Sequence, residues 1–99
     1  MNKNINLSNE YIFILKGADN EGIVHQCTQL FSNLNINIID LETQLINAPI
    51  TGAPLFYIKA IILIPENTSL QIIKDDIRKL ESEANVKIKF DIYDPNLNH

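Results

Sequence analysis

The apolar residues of this chain change period several times along its length, and the order of those changes leaves few folds open. Between Glu10 and Lys16, Tyr11, Ile12, Phe13, Ile14 and Leu15 form a compact β-branched and aromatic run, the mark of a strand. Gly17 to Glu21 breaks that run with Gly, Asp and Asn. Ile23, Val24, Cys27, Leu30, Phe31 and Leu34 then recur at helical spacing, one stripe of an amphipathic helix. Asp19 or Asn20 can cap its start. Asn35 can end it, because Asn tolerates the left-handed backbone that a helix stop uses.

Strand character returns from Ile36 to Leu45. Asp40, Glu42 and Gln44 share one parity, while Ile39, Leu41, Thr43 and Leu45 share the other. Ile36 and Ile38 fall on the acids' parity, so a bulge or a change of environment is expected near Ile39. Ile46 to Pro54, with two prolines and a glycine, reads as a loop, and Leu55 to Ile64 as a long strand ended by Pro65. Thr68 and Gln71 fit a capping box for a second amphipathic helix striped by Leu70, Ile73, Ile77, Leu80 and Ala84. Asp75 and Lys79 stand at i, i+4 and support it, and Asn85 is its stop. Val86, Ile88, Phe90 and Ile92 alternate with Lys87, Lys89, Asp91 and Tyr93 in a last, half-buried strand.

The resulting order is β-α-β-β-α-β. Its expected solution is an α+β, ferredoxin-like βαββαβ sandwich, a four-stranded antiparallel sheet with both helices on one face. The first and third strands, apolar at both parities, belong in the centre, and the alternating second and fourth belong at the edges. Lys87 and Lys89 on an edge would discourage stray pairing. Two helices cover one face only, so the second face needs cover, and a homodimer is the simplest source.

Ninety-nine residues, 45% of them apolar, make one domain with one core. We expect that domain over 10–94, between a loose, Asn-rich segment 1–9 and a polar tail 95–99. Eight Lys and Arg against twelve acids, net −4, argue against direct nucleic-acid binding, which draws its affinity from cations on phosphates. Lys74, Arg78 and Lys79 interleave with Asp75, Asp76, Glu81 and Glu83 in a mixed, solvated helix face. Cys27 has no partner for an internal disulfide. Met1 to Glu10 lacks the apolar core of a signal peptide. The run Ala60 to Ile64 is far below the ~18 residues of a membrane span. The expectation is a cytoplasmic protein without membrane attachment.

The residues Gly17-Ala18-Asp19-Asn20-Glu21-Gly22-Ile23-Val24, followed by Leu34-Asn35-Ile36-Asn37-Ile38, resemble the Asp-x-x-Gly-Ile turn and the step into the second strand of ACT domains. The resemblance spans roughly 10–93. Asp40-Leu41-Glu42-Thr43 and Ala48-Pro49-Ile50-Thr51-Gly52-Ala53-Pro54-Leu55-Phe56 further resemble the glycine cleavage system transcriptional repressor branch. They are also similar to the N-terminal domain of formyltetrahydrofolate deformylase. That resemblance implies a regulatory module that dimerises, binds an amino acid between domains, and acts on a protein partner.

The first turn is the candidate binding site. N–H groups at a helix start favour a carboxylate, and Gly22 admits a ligand close to the backbone near Asn20 and Ile23. Asp19 offers an acceptor for an ammonium group, while Asn37, with Ile38 beside it, offers a donor and an acceptor. Together these suit a zwitterionic amino acid. The competing reading is that Asp19 or Asn20 only caps and Gly22 only packs, which leaves a ligand-free dimerisation or protein-interaction module. His25 and Cys27, two apart on a helix, do not face each other. Cys27 is expected as a buried structural thiol, and His25 as exposed or interfacial. Asp40 and Glu42 are expected as a solvated edge or a dimer contact. The sequence holds no nucleotide loop, no catalytic Ser/His/Asp set and no zinc spacing, so we expect no enzyme, no metal and no cofactor.

Overall fold

The computed structural model describes residues 9–18 and 22–96. Its elements run β1 (Glu10–Ala18), α1 (Ile23–Asn33), β2 (Asn37–Asn47), β3 (Pro54–Leu63), α2 (Leu70–Ala84) and β4 (Val86–Ile92). The sheet order is β2-β3-β1-β4, and the pairs are antiparallel. This is the expected ferredoxin-like α+β arrangement, with the doubly apolar strands in the centre. Most of segment 1–9 and the end of the tail lie outside the described residues. No helix among those described is long and apolar enough to cross a membrane.

One parity of the central strands builds the core. Tyr11, Phe13 and Leu15 on β1 stand opposite Ile62, Ala60 and Ile58 on β3. They meet Ile23, Cys27 and Phe31 of α1 and Ile73, Ile77 and Leu80 of α2. Phe13 and Phe31 meet edge to face at 5.0 Å, and Tyr11 stacks on Phe90 at 5.1 Å. Such pairs add about 0.5–1.5 kcal/mol each beyond their buried area.

Local chemistry sets most boundaries. Asn35 takes φ 57°, its N–H donating to Ser32 O while Ile36 N donates to Phe31 O, a Schellman stop for α1. Asn85 ends α2 in the same left-handed region, φ 56°. The β2 register slips between Ile38 and Asp40, which places the bulge at Ile39.

Three local expectations need correction. Ser69, not Thr68, caps α2, accepting from Ile72 N at 3.4 Å, and Gln71 instead donates to Asp75. β2 runs on through Ile46 and Asn47, so the loop shortens, closed by Ala48 N donating to Ala53 O. Finally, β1 does not stop at Lys16. It continues through Gly17 and Ala18, because Gly17 pairs with both Phe56 and Val86.

Gly17 tolerates that pairing only for want of a side chain. A Cβ there would run into Val86 Cγ1, with Val86 Cβ at 3.1 Å and Cα at 3.4 Å. Val86 is buried and β-branched, so it cannot swing aside. Gly17→Ala should therefore destabilise the fold by about 1–3 kcal/mol, the range for overpacking, read from urea melts. At Asn35, Val should cost about 1–2 kcal/mol because of the left-handed backbone, whereas Gly should match or exceed wild type.

Candidate functional site

The residues nominated for ligand binding fall at two ends of the molecule. Gly22 caps α1 at φ −89°, ψ −4°, its carbonyl accepting from Gln26 N at 2.9 Å. Asp19 and Asn20, read as cap and ligand contacts, lie outside the described residues; the cap position belongs to Gly22. Ile23 is 1% exposed and belongs to the core. Asn37 and Ile38 follow the other end of α1, about 16 Å away along an eleven-residue helix. There they line a shallow cavity with Asn35 and Ile36. One chain thus brings Asn37 and Ile38 together, and Gly22 and Ile23 together, but does not join the two pairs.

The remaining singled-out side chains are simpler. Cys27 is buried in the helix-side core. His25 is exposed and lines a groove of about 290 Å³ between α1 and α2, opposite Asp76, Lys79 and Glu83. Asp40 and Glu42 are exposed on edge strand β2, Glu42 standing opposite Lys59 of β3. Among the described residues, no group of three His, Cys, Asp or Glu could hold a metal ion.

Two surfaces carry features that the sequence reading did not assign them. The first is the β2 edge. All eleven of its residues are exposed, including Ile39, Leu41, Leu45 and Ile46. Leu41 and Leu45 stand opposite Ala60 and Phe56, on the helix side, yet remain 41% and 60% exposed, because no helix reaches them. The far edge is different. There Glu81 Oε2 accepts from Ile88 N at 2.8 Å, so a carboxylate from α2 occupies an outward donor of β4.

The second surface lies on the helix-free face of the sheet. Cross-strand rows there read Glu42, Lys59, Ile14, Lys89 and then Gln44, Tyr57, Lys16, Lys87. Ile14, Lys16, Tyr57, Lys87 and Lys89 line a shallow cavity of about 500 Å³. The parity of Lys16 with Ile12 and Ile14 was the available signal. The face is less apolar than the strand pattern implied: Ile12 is fully buried, Ile14, Tyr57 and Ile61 are half-buried, and the strongly exposed apolar residues lie elsewhere, Ile39 and Leu45 on β2, Ile50 in the loop after it, Ile72 on α2 and Ile92 on the helix side of β4.

No family model matches the chain, and no curated protein does. Solved structures do. An unknown protein from Galdieria sulphuraria superposes with a TM-score of 0.77 at 29% identity, over 87% of this chain and 50% of that one. An ACT domain protein from Streptococcus pneumoniae gives 0.65 at 21% identity, covering 82% and 85%. A formyltetrahydrofolate deformylase from Pseudomonas putida gives 0.71 at 11% identity, covering 90% and 30%. This chain has the ACT-domain fold. It spans half the length of the Galdieria protein and under a third of the deformylase, so the ACT fold is what is shared.

Within that ACT fold, burial pushes the Cys27 thiol up to about 12 from 9.0. A folded value above the unfolded one means that its contribution to stability is whole below about pH 9 and is lost as pH rises through about 12. A protonated, buried thiol is inert. Native protein at pH ~8 should resist a disulfide-exchange reagent that labels the urea-unfolded chain at once. Rapid labelling of the native protein would place Cys27 outside the core.

Proposed function

We propose that residues 10–94 form a single, non-catalytic regulatory ACT domain that works as a homodimer, binds a small molecule of the amino-acid class, and modulates a protein partner. The exposed apolar β2 edge carries the assembly part of this reading. A long edge strand with unpaired N–H and C=O groups is a template for another strand, and a two-fold axis beside β2 pairs it with its own copy. Leu41 and Leu45 are then covered by the partner's helix layer. β2 offers this surface in place of the helix-free sheet face.

The separation of Gly22 from Asn37 bears on the ligand. A zwitterion touching both groups has to lie between chains, so binding and assembly are one event. Glycine and serine are the first ligands to test, since Asp40–Thr43 and Ala48–Phe56 resemble the glycine cleavage repressor branch. The same separation favours a second reading, a ligand-free assembly module.

Light scattering at micromolar concentration should give twice 11.3 kDa, and Leu41→Lys with Leu45→Lys should give the monomer. A monomeric wild type removes the proposal. A thermal-shift screen against amino acids separates the two readings. At 100 times its dissociation constant a ligand stabilises by ~2.7 kcal/mol, several degrees for a domain of this size. Such a hit, lost in Gly22→Val, supports the sensor; no shift at millimolar amino acid leaves the assembly module.

A further inference from the structure

Among the described residues, Lys16 has no acid opposite it in the sheet. It lies on a central strand, at the parity of apolar Ile12 and Ile14, and its row places it between Tyr57 and Lys87. Like charges directly opposite on a sheet destabilise it. Edge protection accounts for Lys87 and Lys89 on β4, but not for a third lysine one strand inward. The contrast with Lys59 is direct, because that lysine stands opposite the carboxylate of Glu42. On the basic half of the face the nearest acid by register is Asp91, one row beyond Lys89. A chain with net charge −4 thus gathers three ammonium groups around one hollow.

The hollow has a floor and a wall as well as charge. Ile14 and the ring of Tyr57 line the cavity of about 500 Å³ beside the lysines. A second, of about 350 Å³, continues past Lys16 and Lys87 to Gly17 and Leu55. We propose that this dish binds a small organic anion carrying at least two negative charges next to a planar ring. The lysines hold the charged end, and the ring lies against Tyr57 and Ile14. Neutralisation by the ligand removes the repulsion between Lys16 and Lys87, so that strain in the empty site becomes affinity in the filled one. The site uses the helix-free face and does not rest on pairing through β2.

The test is calorimetric titration of the full chain with ADP, pyrophosphate and adenosine as probes. ADP should bind saturably and more weakly as salt rises, pyrophosphate less tightly, and adenosine not at all. Lys16→Glu should weaken ADP by at least ~10-fold while leaving the unliganded melting temperature equal or higher, because the repulsion is gone. A merely structural lysine would do the reverse. Tyr57→Leu should reduce ADP to the level of pyrophosphate; an undiminished preference for ADP overturns the role of the ring. Absence of ADP and pyrophosphate binding at millimolar concentration, or binding unchanged in Lys16→Glu, overturns the site. The Leu41→Lys, Leu45→Lys variant should keep ADP binding, which separates failure here from failure of the dimer.

Discussion

Two helices lie on one side of a four-stranded sheet, and together they are too narrow to cover it. That single shortage of cover organises the molecule. Where cover is complete, over β1 and β3, side chains are large and fully buried: Phe13, Leu15, Ile58 and Ile62 with Ile23 and Ile73 above them. The edge-to-face contact of Phe13 with Phe31 ties α1 to the strand at the sheet's centre. Apolar burial of this kind supplies most of the driving force available to so small a domain. The position of α1 is therefore fixed by the central strands, and β2 is left to whatever remains.

What remains is an edge unlike its counterpart. β4 is kept short at seven residues, carries Lys87 and Lys89, and has the Ile88 N–H taken by Glu81. Each of these discourages strand addition. β2 is longer, apolar on its helix side, and free of lysine. Its one irregularity is the bulge at Ile39, which sits near its start and leaves the stretch from Asp40 to Asn47 regular. The asymmetry between the edges leaves β2, and not β4, as the edge open to strand addition.

Much of this was legible because it is local. The left-handed stops need only Asn35 and Asn85. The bulge at Ile39 shows as a parity conflict between Ile38 and Asp40, and the central strands declare themselves by being apolar on both parities. Readings that depended on distant partners failed. β1 extends through Gly17 because Val86, far along the chain, packs against it, and nothing around Gly17 announces that. The cap falls to Ser69, whose extended backbone lets its hydroxyl accept from Ile72 N. The exposure of Leu41 and Leu45 could not be read from alternation, since the pattern says which side a residue faces and not whether anything lies above it. In the candidate site the quantity left unread was length. Gly22 and Asn37 look adjacent as motifs, yet an eleven-residue helix separates them by about 16 Å.

That distance constrains regulation more than the identity of any ligand does. A small zwitterion is much shorter than α1, so no single copy of the chain can present both Gly22 and Asn37 to it. A ligand that used both would therefore bind the assembled form and not the monomer. By linkage, such a ligand must strengthen assembly by the same factor that assembly strengthens its binding. A ligand held by one end of α1 alone carries no such obligation and can leave the oligomer unchanged. The two cases differ in how binding depends on protein concentration, and the length of α1 is what separates them.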